Sequence, residues 1–127
     1  MNGWTAHELD LVGDAEELEI AGLRADGTLR RFVTIWMVRV GDAIYVRSVN
    51  GRGSGWFRGI LDQHAGRISA GGVTKDVTFV EIPATDPINH AIDEQYKNMY
   101  AQYPQYWAPM VIPLSQASTL RLEARGA

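Results

Sequence analysis

The stretch from Phe32 to Arg58, FVTIWMVRVGDAIYVRSVNGRGSGWFR, constrains the fold more than any other part of the chain. From Leu29 to Val40 the residues are β-branched and aromatic and nearly continuously apolar in the middle, which fits a strand covered on both faces. Gly41-Asp42 then supplies a two-residue hairpin turn. With that loop Val40 faces Ala43, and counting outward sets Val38 against Tyr45, Met37 against Val46, Trp36 against Arg47 and Ile35 against Ser48. The face carrying Ile35, Met37 and Val46 reads as barrel core. The other face sets an indole beside a guanidinium, either a cation–π pair worth roughly 0.5–1 kcal/mol or one wall of a site for a flat anionic ligand.

The remaining elements follow from local signals. Thr5 and Glu8 form a capping-box pattern that opens a first helix ending near Gly13 and Asp14. Glu16 to Arg24 reads as a strand, and Ala25-Asp26-Gly27-Thr28 as a turn in which Gly27 takes positive φ at no steric cost. Asn50 to Gly55 breaks the strand pattern, and Trp56 to Leu61 resumes at helical spacing with Ser54 placed as its cap. A second hairpin, Arg67 to Ala70 and Val73 to Ile82, turns on Gly71-Gly72 and sets Arg67 opposite Asp76. Thr85-Asp86-Pro87 begins the longest helix, in which Ile88, Ile92, Tyr96, Met99 and Tyr103 form one apolar stripe. Tyr103 to Met110 is aromatic and punctuated by prolines, so it cannot be a regular helix; Ser118 to Ala124 alternates as a last strand. This order predicts a mainly β protein, a small barrel of about six antiparallel strands with flanking helices, in a single domain over residues 1–127.

Composition narrows the function classes. The 127 residues include no cysteine, which excludes disulfides, thiolate metal sites and cysteine nucleophiles and fits a reducing cytoplasm. Apolar runs are strand-length and no leader-like start is present, so a cytoplasmic protein without a membrane partner is expected. The formal net charge of −3 conceals a segregation: residues 24–75 carry nine basic and three acidic side chains, a balance of +6, while the remainder carries three basic and twelve acidic, or −9. A basic middle in an acidic chain argues against nucleic acid as a partner and suits a small anion. Arginines spread over a solvated sheet would give the same count.

No self-sufficient catalytic set is visible. His7, His64 and His90 stand apart without ligand spacing, so no metal is expected. Ser48, Ser54 and Ser69 lack an evident base, which leaves the catalytic residues unknown, and Glu16-Glu17 and Asp93-Glu94 read as solvated acidic pairs. The glycine loop after the second strand of the hairpin is not a dinucleotide fingerprint, because its third glycine comes one position early and its neighbours are antiparallel; the ending of a P-loop is also missing. What remains is a phosphate-binding nest made of backbone N–H groups, a helix start and flanking arginines. Its candidates are Arg47, Ser48, Asn50, Gly51 and Arg52. The other reading of the same glycines is a corner in the chain.

Three short matches carry a resemblance: the turn Gly27-Thr28-Leu29-Arg30, the loop Ser48-Val49-Asn50-Gly51, and the helix start Trp56-Phe57 leading to Ile60-Leu61. From about Glu19 to Ile82 the chain resembles the flavin/deazaflavin oxidoreductase split-barrel superfamily, and is most similar to a short family of unknown function near the deazaflavin-dependent nitroreductases. The resemblance implies an FMN-binding-like split β-barrel, a homodimer that shares its site, binding FMN or deazaflavin and moving hydride to an unknown small molecule. Arg47, Arg52 and the backbone from Ser48 to Gly51 would then hold phosphate, Trp36 or Trp56 would flank the ring, and Tyr103 or Tyr106 would face the substrate. Two positions depart from the family pattern: Asp26 stands where a basic or small residue is common, and Gly59 where an asparagine often follows the aromatic pair. With these departures go two alternatives, a non-enzymatic carrier of a small ligand with the same fold and a structural dimer using Trp36 and Tyr45 at its interface.

Overall fold

The computed structural model describes residues 3–15 and 17–125. Its strands are β1 (Glu17–Gly22), β2 (Val33–Val40), β3 (Ala43–Val46), β4 (Ala65–Ala70), β5 (Val73–Glu81) and β6 (Leu120–Ala124). All pair antiparallel and close into a barrel in the order β1-β2-β3-β6-β5-β4. The helices are α1 (Ala6–Gly13), α2 (Gly55–Gln63), α3 (Ile88–Met99) and the single turns α4 (Pro104–Trp107) and α5 (Pro113–Gln116). The mainly β barrel with flanking helices is the architecture the element order predicts. Glu16, expected to open the first strand and to pair with Glu17, lies outside the described residues.

Both hairpins keep the predicted register. Val40 pairs with Ala43, Val38 with Tyr45 and Met37 with Val46; Arg67 pairs with Asp76, their side chains joined at 2.8 Å. The ladder between β2 and β3 stops at Met37 and Val46, so the counted pairs Trp36 with Arg47 and Ile35 with Ser48 do not form. Strand β2 also begins at Val33, not Leu29. Leu29 makes an isolated bridge to Leu23, and Arg30 sends its amide to Gly22 and its guanidinium to Asp62 on α2, which draws the chain toward that helix.

β2 is covered on both faces, as its composition requires. Ile35 and Met37 join Leu18, Ile44, Phe79 and Leu122 inside the barrel, and Phe57 and Ile60 of α2 belong to the same core. On the outer face Val38 and Tyr45 pack with Ile92, Tyr96 and Tyr100 in a second cluster. The second buried aromatic of that stripe, after Tyr96, is Tyr100, not Tyr103: α3 ends at Met99, and Tyr103 falls beyond it on the surface.

The N-terminal helix is held by the expected reciprocal cap, with the Thr5 hydroxyl accepting from the Glu8 amide at 3.1 Å and the Glu8 carboxylate from the Thr5 amide at 3.0 Å. The other Glu8 oxygen meets Lys75 of β5 at 2.8 Å. Hydrogen bonding from Lys75, then from the Thr5 amide, holds the Glu8 carboxyl below its ordinary range. A depressed acid stabilises the fold above its unfolded pKa and loses that contribution as pH falls through the folded one. Thermal melts should therefore show the wild type losing stability below about pH 4.5, the ordinary glutamate value, while Glu8→Gln starts lower at neutral pH and has a shallower acid limb.

The sequence segregation of charge is undone in space. Arg30, Arg39, Arg47, Arg52, Arg67 and Lys75 pair with Asp62, Asp10, Asp93, Glu81, Asp76 and Glu8, and five of those six acids lie outside residues 24–75. Arg31 and Arg58, both exposed, have no such partner among the described residues.

Candidate functional site

Where β3 leaves the ladder at Val46, residues 33–36 of β2 keep their pairing to β1 and have no strand on the other side. That split is the cleft. It measures about 350 Å³ and is lined by Val33, Thr34, Ile35, Trp36, Arg47, Val49, Asn50, Trp56, Tyr106 and Met110. Part of the missing strand's role is taken by Tyr96, whose hydroxyl donates to the Trp36 carbonyl at 3.1 Å. Burial pushes the Tyr96 phenol far above its ordinary range, so it remains a neutral donor. Tyr100 donates in the same way to the Met37 carbonyl at 2.6 Å.

Arg47 explains the split. Its side chain is completely buried and runs between α3 and the turn before β6. Nε donates to the Thr119 hydroxyl, Nη1 to Asp93 and the Met110 carbonyl, and Nη2 to the carbonyl and side-chain oxygen of Asn89. A guanidinium has five N–H donors, and all five are spent. Its aromatic neighbour is Tyr96, 5.7 Å from the guanidinium carbon to the ring centroid, and not the predicted Trp36. Arg47 thus lines the cleft as part of the scaffold with no donor left for an anion.

Of the other expected site residues, Trp36, Asn50, Trp56 and Tyr106 meet at the cleft. Ser48, Gly51, Arg52 and Tyr103 do not line it. Ser48 is buried, its amide bonded to the Ser118 hydroxyl and its own hydroxyl to that of Ser54. This bond occupies Ser54, which sits at the N-cap of α2 without donating or accepting there. Gly51 at φ +72° turns the loop against Leu114, and its amide bonds back to Ser48. Arg52 clamps that loop to the far side, reaching Glu81 at 2.9 Å and the Ala117 carbonyl at 3.0 Å.

Three further arginines lie in hollows that adjoin the cleft. A hollow sharing Val33 and Trp56 with the cleft leads to Arg30 and Arg31, and a further one sharing Arg30 and Gly55 leads to Arg58. Three arginines face one acid there, Asp62, which is 3.3 Å from Arg30. Arg30 Nε is buried with no hydrogen-bond partner. Its side chain lies flat on α2 because residue 59 is glycine: a Cβ at that position would stand 2.8 Å from Arg30 Cδ and 3.0 Å from Nε. The departure from the family's asparagine therefore has a physical reason in this chain.

Among the described residues no group of three or more His, Cys, Asp or Glu could hold a metal ion, and no helix is long and apolar enough to cross a membrane.

Residues 8–122 match the family described as "Uncharacterized protein conserved in bacteria (DUF2255)". No curated protein matches the sequence. Solved structures that resemble the chain include a conserved hypothetical protein from Mycobacterium tuberculosis, at 14% identity and TM-score 0.67 over 97% of this chain and 82% of that one. The heme storage protein HutZ from Vibrio cholerae aligns at 11% identity and TM-score 0.65, covering 93% and 87%. An F₄₂₀-H₂-dependent reductase aligns at 13% identity and TM-score 0.62, covering 85% and 94%. At such identities the likeness shows the fold, a split barrel.

Proposed function

The chain belongs to the DUF2255 family, and from that premise and the shape of its cleft we propose that it binds a flavin-type cofactor, FMN or deazaflavin, and uses it to move hydride to a small molecule. The observation that carries this reading is the continuity of an aromatic cleft with a basic end. A planar ring fits against the open edge of β2 at Trp36, in the cleft that Trp56 and Tyr106 also line, and an anionic tail fits toward Arg30, Arg31 and Arg58, where the orphaned Arg30 Nε lacks an acceptor. The start of α2 at Gly55 lines the same groove without a side-chain cap, which adds positive potential. Split barrels described as a heme storage protein and as an F₄₂₀-H₂-dependent reductase support a planar conjugated ligand in this fold.

In this reading the cofactor, when bound, supplies the redox chemistry; the protein binds, orients and excludes water. Phosphate selection moves from Arg47 and Arg52, which the fold employs elsewhere, to the three arginines of the groove. Tyr106, which lines the cleft, would face a substrate. We also take the protein to be cytoplasmic and to act as a homodimer, with the exposed apolar Val49, Ile112 and Leu114 as the surface where two copies would meet; light scattering tests the dimer.

The cleft lining contains no carboxylate, imidazole or amine, which equally suits a carrier that holds its ligand without turnover. Fluorescence titration with FMN and with deazaflavin is the test, followed by cofactor reduction and reoxidation assays. Micromolar uptake of one of them is expected, and Arg31→Ala/Arg58→Ala should weaken it about ten- to a hundredfold through loss of charge-assisted contacts. Uptake without turnover selects the carrier. If neither cofactor binds, the flavin reading is wrong.

A further inference from the structure

The cleft is roofed by a segment with fixed ends and a loosely held middle. At one end Tyr100 is buried and hydrogen-bonded to the Met37 carbonyl; at the other Met110 is buried, its carbonyl held by Arg47. A second latch secures the far end, since Gln116 donates both to Asp93 at 2.9 Å and to the Val111 carbonyl at 3.0 Å. Between these anchors, residues 101–106 and 108 are exposed. Their backbone bonds are local, Tyr103 to Tyr100 and both Tyr106 and Trp107 to Tyr103. Among the described residues, no hydrogen bond joins 101–109 to a strand.

What holds this stretch on the barrel is aromatic contact with Trp36, the half-buried Trp107 ring packed against the outer cluster and, at its C-terminal end, a hydrogen bond from the Ser115 hydroxyl to the Pro109 carbonyl at 2.8 Å. The Tyr106 ring lies 4.9 Å from the indole and that of Tyr103 6.1 Å, edge-on. Outside the barrel, Lys97 sits 5.8 Å from the Trp107 ring. Tyr106 is half exposed although it packs on the indole. Aromatic pairs of this kind are weak enough to exchange, and the surface Tyr106 covers is the indole that lines the cleft.

We propose that residues 101–109 form a lid, hinged at Tyr100 and Met110, and that Tyr106 is a gate which leaves Trp36 to admit a flat conjugated ring and then closes on its outer face. The inference rests on the ligand-binding reading of the cleft for its occupant, but the mobility of the lid is a property of the ligand-free protein. It commits the cleft to planar ligands one ring system thick, because the slot has an indole on one side and a phenol on the other.

Two measurements separate the lid from the site. In the ligand-free protein, hydrogen exchange should be fast at the amides of 101–103 and 105–108 and slow at Tyr100, whose amide is bonded to the Tyr96 carbonyl; protection of the segment equal to that of α3 overturns the lid whatever the cleft binds. With the cofactor that titrates, stopped-flow binding to Tyr106→Ala should show association about two- to tenfold faster, since the gate no longer has to be displaced, and dissociation accelerated by more. Tyr106→Phe should restore both rates. Unchanged rates in Tyr106→Ala with binding intact overturn the gate and leave the site standing, whereas absence of any binding removes the proposed occupant and leaves the exchange result to decide the lid.

Discussion

Arg47→Ala should lower the thermal midpoint by roughly 10–20 °C, the equivalent of about 3–5 kcal/mol for breaking a buried ion pair from one side. The variant leaves the part-buried Asp93 carboxylate with Gln116 as its partner, leaves the buried Met110 carbonyl without its donor, and takes one donor each from the Asn89 side-chain oxygen and the Thr119 hydroxyl, which keep each other. Ligand binding would fall with it, but through collapse of the cleft wall. Arg52→Ala provides the contrast. Its ion pair with Glu81 is half exposed, so a change of at most about 1 kcal/mol is expected. Paired thermal and chemical denaturation of the two variants checks this; equal stability of Arg47→Ala and wild type would mean that the five hydrogen bonds do not hold the outer layer.

Gly66→Ala is the second large effect. Gly66 of β4 pairs with Gly22 of β1, and a Cβ on it would lie 2.0 Å from the Ala21 carbonyl oxygen. Backbone, not a movable side chain, stands in the way. The barrel must open between β1 and β4, at a cost of about 3 kcal/mol, and urea denaturation should show the midpoint falling without a change in slope. Gly53→Ala, where a Cβ meets nothing within 4 Å, is the matched control and should change little.

The sequence made the local geometry legible and hid the long-range assignments. Two-residue turns fix register, so the partners of Val38, Met37 and Arg67 could be counted from Gly41-Asp42 and Gly71-Gly72. The same counting failed at the next pair, Trp36 with Arg47, because nothing in an unbroken apolar and basic run marks the point where β3 departs. That departure is driven by Arg47 reaching acceptors at positions 89, 93, 110 and 119, none of which is near it in sequence. Periodicity found the face of α3 but carried the stripe past its end to Tyr103, since the phase of a helix says little about where it stops. The arginines at the cleft's end were hidden for a similar reason. Arg30 and Arg31 follow a turn and Arg58 sits on a helix, and only the packing of the Arg30 side chain on α2 at Gly59 brings them to one groove.

The open flank of β2 over residues 33–36 has a further consequence. An unpaired strand edge is a template for other strands, and proteins guard such edges against edge-to-edge aggregation. Here the guards are those already met in other roles: the Tyr96 hydroxyl on the Trp36 carbonyl, the Arg47 side chain that turns the neighbouring chain away, and the tyrosines resting on Trp36. Solubility and access to the cleft are therefore in opposition, since each movement that uncovers the binding edge also uncovers a surface on which an extended segment of another chain could add as a strand.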